Sequence, residues 1–327
     1  WNDLDFGHEL YCAGHLFEAA AAYTRATRTT VLLDVATRFA DLIDSIFGPG
    51  KRPGAPGHPE IELALVKLYR VTNNPAYLNL AKYFVDQRGK GVMRGWGWLK
   101  AEYHQDRVPV REQDIIEGHA VRAMYLNAGV TDLFLESGEE ALLNAMQLQW
   151  RDMSSGKVFV TGGVGSQYEG EAFGDPYELP PDQCYCETCA AIGSIFWNWR
   201  MLQVTGESRF ADSIERALYN GVLSGIALDG ESFFYMNPLL SRGGYGRHPW
   251  HVVACCPPNL MRLFSSLPQY FVSHDDSGIQ VHLYGTASVS LVLGSGQPLS
   301  LSMETDYPWD GHVTFKLEDT DGSTWQL

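Results

Sequence analysis

Apolar positions between residues 8 and 223 recur at helical spacing in long segments that double back through short polar turns. Four segments share one pattern: "RATRTTVLLDVATRFADLI", "RVTNNPAYLNLAKYFVDQ", "LESGEEALLNAMQLQW" and "QVTGESRFADSIERALYN". In each, a hydroxyl residue (Thr27, Thr72, Ser137, Thr205) ends one helix. An apolar or aromatic residue (Leu32, Tyr77, Leu142, Phe210) stands five positions later on the next. The recurrence predicts four copies of a helical hairpin. The copies lie 45, 65 and 68 residues apart, too far and too irregularly for a tetratricopeptide array. The surplus falls in the Gly- and Pro-rich stretches "GPGKRPGAPGHPE", "RGWGWLKAEYHQDRVPVRE" and "TGGVGSQYEGEAFGDPYELPPDQ". Long loops on a regular helical scaffold are where function concentrates. The pattern therefore predicts a mainly α chain, a partial (α/α)6-type toroid of helical hairpins with a loop-built cleft at one end.

After residue 230 the period changes. "ESFFYMNP", "WHVVACC", "GIQVHLYG", "ASVSLVL", "LSLSMETD" and "HVTFKLED" read as short strands, with one helix near 258–272 among them. Alternation in "QVHLYGTASVSLVL" predicts the beginning of a β-sandwich. The expected division is an α/α barrel over 1–272 and a partial β-sandwich over 273–327. A start on "WNDLDF" without Met, and strands too few to close two sheets after "TWQL", predict that both ends are cut short.

Composition narrows the function. Against 24 Lys+Arg stand 39 Asp+Glu, a net charge of −15, which disfavours nucleic acid and anionic membranes as partners. No run of about 18 apolar residues offers a membrane span. Six cysteines are too few for a disulfide scaffold in a chain this long, and most are crowded into two places.

One of those places is "HVVACCPPN", where Cys255 and Cys256 are adjacent. The other is "DQCYCETCAAIG", which leads into a helix at about Ala190. Glu187, Cys189, Cys255 and Cys256 together offer three thiolates and a carboxylate, a set that suits tetrahedral Zn²⁺. The alternative reading makes Cys189 a small buried hydrophobe and the pair a turn filler. Cys12 is read as core. Glu171 in "YEGEAFGDPYELP" supplies a loop carboxylate sixteen residues before Glu187, and such a pair is the minimum equipment for glycoside hydrolysis. His8, His58 and His119 each open a helix of the repeat and stand ready to converge on one polar ligand.

The segments "HELYCAGHLFEAA", "PGHPEIELALVKLYRVT", "GHAVRAMYL", "TGGVGS", "GEAFGDPYELP", "ETCAAIG", "ALYNGVLSGIALDG" and "ACCPPN" resemble, in this order, glycoside hydrolase family 127, the bacterial β-L-arabinofuranosidases. The resemblance implies a retaining exo-glycosidase that releases terminal β-L-arabinofuranose. It implies zinc on Glu187, Cys189, Cys255 and Cys256, Cys255 as nucleophile and Glu171 as general acid/base. His8, His58 and His119 match positions that hydrogen-bond the sugar, with Tyr235 beside the nucleophile. The alternatives are a related hydrolase of another uncommon pectic sugar and an inactive zinc-stabilised sugar-binding fragment. An arabinofuranoside is the expected partner, with a homodimer entertained as the assembly. A reducing bacterial cytoplasm is favoured over secretion, because reduced zinc thiolates persist there. "CYCETC" departs from the family pattern at Cys184 and Cys186, which are read as passive substitutions.

Overall fold

A computed structural model describes residues 1–95, 100–276, 278–294 and 296–318. Residues 96–99 of the second long loop, the end of "HVTFKLED" and "TWQL" lie outside the described residues. Eight helices form the four expected hairpins: α1 Glu9–Thr27 with α2 Val31–Ile46, α3 Ile61–Thr72 with α4 Pro75–Gln87, α5 Ala120–Ser137 with α6 Glu140–Gly156, and α7 Thr188–Thr205 with α8 Ser208–Arg216.

The repeated hydroxyl has a physical reason. Each of Thr27, Thr72, Ser137 and Thr205 donates to the carbonyl four residues back at 2.7–2.9 Å and accepts from the backbone N–H two residues ahead at 3.2–3.3 Å. The residue that follows (Arg28, Asn73, Gly138 or Gly206) takes the left-handed conformation that closes the helix. One side chain thus satisfies a backbone N–H beyond the helix end and adds a second bond to a carbonyl one turn back at every turn.

Odd-numbered helices pack against one another in sequence, α1 on α3, α3 on α5 and α5 on α7, with the even-numbered helices outside them. This is the α/α toroid that the pattern predicts. α5 and α7 are almost wholly buried, as inner helices should be. The inner contacts are close because glycines sit in them. A Cβ on Gly193 of α7 would come within 2.8 Å of the Met124 Cβ and 3.1 Å of the Tyr125 ring on α5. Gly193→Ala is therefore expected to cost about 1–3 kcal/mol of stability through overpacking, measured as a lowered midpoint in urea unfolding.

Beyond α8, the helix α9, Cys256–Ser266, packs on α7. A short hairpin, β1 Val272–His274 with β2 Ile279–Val281, precedes an antiparallel meander of β3 Ala287–Val292, β4 Pro298–Thr305 and β5 Val313–Glu318. In β4 the alternation buries Leu299, Leu301 and Met303, and Ile279 of β2 packs on the first two. No described helix is long and apolar enough to cross a membrane.

Three expectations fail. "ESFFYMNP" makes only isolated bridges, because Phe234, Tyr235 and Met236 pair with the start of a helix rather than an extended edge: Thr188 N donates to Tyr235 O at 3.0 Å. "WHVVACC" is a loop with Val252 and Val253 in solvent, since α9 begins at Cys256 and leaves no room for a strand. Cys12 is exposed, not core, because α1 buries the Leu10, Ala13 and Phe17 stripe and turns Cys12 away from it.

Candidate active site

The long loops all enter at the N-terminal ends of the inner helices, and the chemistry collects there. His8 is the N-cap of α1, His119 of α5, Glu187 of α7 and Cys255 of α9, while His58 stands three residues before α3. Five helix N-termini thus border one cavity of about 1410 Å³, lined by His8, His58, His119, Glu171, Tyr235 and Cys255 among others. Partial positive charge at helix N-termini favours anionic groups, and thiolates gain from it.

Both α7 and α9 start two residues earlier than their sequence suggests. Pro257 and Pro258 lie in the first turn of α9, where a missing N–H costs nothing, so "CCPPN" is a helix start. Cys255 therefore sits at the cap and Cys256 inside the helix.

One ligand atom from each of Glu187, Cys189, Cys255 and Cys256 falls within 4.8 Å of all the others. Cys255 Sγ is 3.1 Å from Glu187 Oε1 and 3.7 Å from Cys256 Sγ, and Cys189 Sγ is 3.5 Å from Cys256 Sγ. Sulfurs bound tetrahedrally at about 2.3 Å from zinc would be about 3.8 Å apart, so the spacing already fits. Glu187 is 4% exposed, and its Oε2 has no hydrogen-bond partner among the described residues. Burial, then the charge on Cys255, raises the Glu187 carboxyl well above the carboxylate range. Burial likewise raises the Cys189 and Cys256 thiols, whereas hydrogen bonds from Cys189, Cys256 and Tyr235 lower the Cys255 thiol far below its ordinary value. Four acidic groups that must share so few charges suit a divalent cation, which would neutralise them together. Cys184 and Cys186 stand outside this group, buried against Phe159.

Tyr235 OH is 3.1 Å from Cys255 Sγ. Its segment is laced to the start of α7 through Thr188, whose hydroxyl donates to Phe234 O at 2.9 Å, and Asn237, whose amide donates to Cys186 O at 3.0 Å.

Glu171 comes from the loop before α7, pinned against α5 by the Phe173 N–H on Gly118 O at 2.9 Å. Its backbone is left-handed, φ 51°, which costs a non-glycine residue about 1–2 kcal/mol. The carboxylate accepts from His119 Nε2 at 2.9 Å and from Tyr185 OH at 2.8 Å. Burial pushes this carboxyl up, but those two donors outweigh it and hold Glu171 below the usual carboxylate range. A Glu171 oxygen lies within 4.8 Å of a Glu187 oxygen, so the acidic loop and the sulfur cluster face the same space.

The three histidine rings form a row, His8 to His58 and His58 to His119, each pair 5.8 Å between centroids. Burial lowers all three below the usual imidazole value, so they are neutral hydrogen-bonding groups. His8 and His58 each place Nδ1 on a carbonyl, at 2.8 and 2.9 Å, which leaves Nε2 as an acceptor for a ligand hydroxyl. His15 lines the same cavity two turns further along α1, with Nδ1 3.7 Å from Glu60. Sequence reasoning passed over Tyr185, which orients Glu171, and Asn259, whose amide meets Cys189 Sγ at 3.1 Å. Both stood inside quoted motifs, but their roles arise only where distant helices meet.

The family model described as "Beta-L-arabinofuranosidase, GH127 catalytic domain" matches residues 1–269. The non-reducing end β-L-arabinofuranosidase of Bifidobacterium longum subsp. longum is 36% identical over 95% of this chain and 51% of its own length. A solved GH127 β-arabinofuranosidase superposes with a TM-score of 0.92 at 40% identity, over 98% of this chain and 50% of the other. A GH127 β-L-arabinofuranosidase from Geobacillus stearothermophilus T6 gives 0.91 at 42% identity, over 97% and 54%. The chain thus spans about half the length of these relatives.

Proposed function

The chain belongs to the GH127 β-L-arabinofuranosidase catalytic-domain family, and on that premise we propose that it is a retaining exo-glycosidase releasing terminal β-L-arabinofuranose. The observation that carries this reading is the sulfur of Cys255: capped by a helix N-terminus, 3.1 Å from Tyr235 OH, and open to the cavity that Glu171 also lines. We assign the helical part, 1–272, to catalysis and treat 273–327 as a separate β part.

Glu187, Cys189, Cys255 and Cys256 would hold zinc, which when bound keeps the thiols ionised at neutral pH. In the first half-reaction the Cys255 thiolate attacks the anomeric carbon. The bond from that carbon to the aglycone oxygen breaks, and the Glu171 carboxyl delivers its proton to that oxygen. In the second, Glu171 as carboxylate takes a proton from water, whose oxygen displaces sulfur and restores the thiolate. Two inversions at one carbon return the original configuration. The neutral histidines hold sugar hydroxyls, His8 and His58 as acceptors through Nε2, while His119 keeps Glu171 in place.

The expected result is hydrolysis of an aryl β-L-arabinofuranoside with retention, and covalent labelling of Cys255 by a mechanism-based arabinofuranosyl reagent, located by peptide mass analysis. A label on another residue overturns the nucleophile. Turnover confined to a different aryl glycoside overturns the sugar, and zinc or sugar binding without turnover would make the chain a sugar-binding module.

A further inference from the structure

One neighbour of the sulfur cluster has no part in the proposed reaction. Asn259 lies one turn into α9, its backbone N–H on Cys255 O at 3.0 Å, and is 2% exposed. Its Nδ2 is 3.1 Å from Cys189 Sγ, and its Oδ1 faces Tyr125 OH at 2.8 Å and Arg262 Nη1 at 3.5 Å.

Those partners fix the amide. A guanidinium has only donors, so the oxygen of Asn259 must face Arg262 and the NH₂ must face sulfur. Arg262 is itself immobile. Its guanidinium bonds Glu60 at 2.9 and 3.2 Å, pairs with Glu18, and lies over the Phe196 ring at 4.7 Å from the centroid. The buried ionic network therefore ends in one N–H aimed at one thiol.

We infer that Asn259 is a positioning residue for the metal-binding thiolate of Cys189, itself oriented by Tyr125 and Arg262. The inference rests on the reading of the cluster as a metal site. It makes the sulfurs unequal: Cys189 is gripped from the buried side by an amide, while the half-buried Cys255 sulfur meets the Tyr235 hydroxyl at the cavity. An N–H on a thiolate draws charge from sulfur and fixes the direction of its lone pairs, and such outer partners commonly matter 10–100-fold in metal affinity.

The test is anaerobic Co²⁺ titration of the purified chain against a chelator, with the thiolate-to-cobalt absorption band recorded. Asn259→Leu is expected to bind Co²⁺ about 10–100-fold more weakly and to move the band to longer wavelength, because the sulfur becomes a stronger donor. Tyr125→Phe keeps the amide but leaves its oxygen with the longer contact to Arg262 Nη1 at 3.5 Å, and should move the band the same way by less. Wild-type affinity and band position in both variants would overturn the inference while leaving the metal reading intact. Failure of the wild-type chain to bind Co²⁺ at all would overturn both. Should Asn259→Leu not fold, Tyr125→Phe decides: a shifted band supports the role and an unshifted one removes it.

Discussion

Cys255→Ala is expected to lower kcat/KM on an aryl β-L-arabinofuranoside by about 10⁴-fold or more, the scale seen when a nucleophile is removed from a site that otherwise still binds. The sulfur is only half-buried and does not cap a backbone N–H of α9, so the fold should tolerate the change. Glu187, Cys189 and Cys256 remain to hold a metal, which separates this variant from Cys256→Ala: Cys256 is wholly buried and its loss should cost metal and stability together. The measurement pairs initial rates with elemental analysis of bound zinc. Zinc retained with activity lost supports a nucleophile. Cys255→Ser sharpens the same point, because a serine hydroxyl ionises far less readily than a thiol whose neighbours lower its pKa. Full activity in Cys255→Ser would refute covalent chemistry at this residue.

Much of the scaffold was legible because its signal is local. A hydroxyl that closes one helix and opens the turn to the next is read in six residues, and all four copies stand where Thr27, Thr72, Ser137 and Thr205 predict. The loop-borne cleft follows from the same register, since surplus residues enter only before inner helices. What failed depended on partners remote in the chain. Pro257 and Pro258 look like a turn until the neighbouring α7 gives α9 something to pack on. Val252 and Val253 look like a strand, but no edge meets them among the described residues. Cys12 sits within an apolar stretch of sequence, yet it falls off the Leu10, Ala13 and Phe17 face that α1 buries. Asn259 and Tyr185 were invisible for the same reason: Tyr125 lies 134 residues from Asn259, and Glu171 is fourteen from Tyr185 across an irregular loop.

Glu171→Ala is expected to slow turnover of a substrate with a poor leaving group by about 10²–10⁴-fold, the usual worth of a positioned proton donor. Ala suits this site better than Gln, because Ala removes the carboxyl outright while Gln could keep the 2.9 Å contact by turning its carbonyl oxygen to His119 Nε2. The loss should be unequal. A nitrophenolate-type leaving group departs without a proton, so the first half-reaction survives and the second, which needs Glu171 to activate water, becomes limiting. KM then falls along with kcat, and the arabinosyl adduct on Cys255 accumulates to visible occupancy by intact mass. Azide, which attacks without a base, should restore turnover and yield the azide sugar in retained configuration. The wild-type pH profile follows from the same carboxyl. His119 and Tyr185 hold it below the usual range, so the ionised form that activates water is present from weakly acidic pH upward. The protonated form that serves the leaving group is lost as pH rises through the Glu171 pKa. Rates on poor leaving groups should therefore fall with rising pH sooner than rates on good ones. Equal losses on both substrate types, with no rescue by azide, would take the acid/base role away from Glu171. They would leave that residue as the partner that keeps His119 facing the sugar.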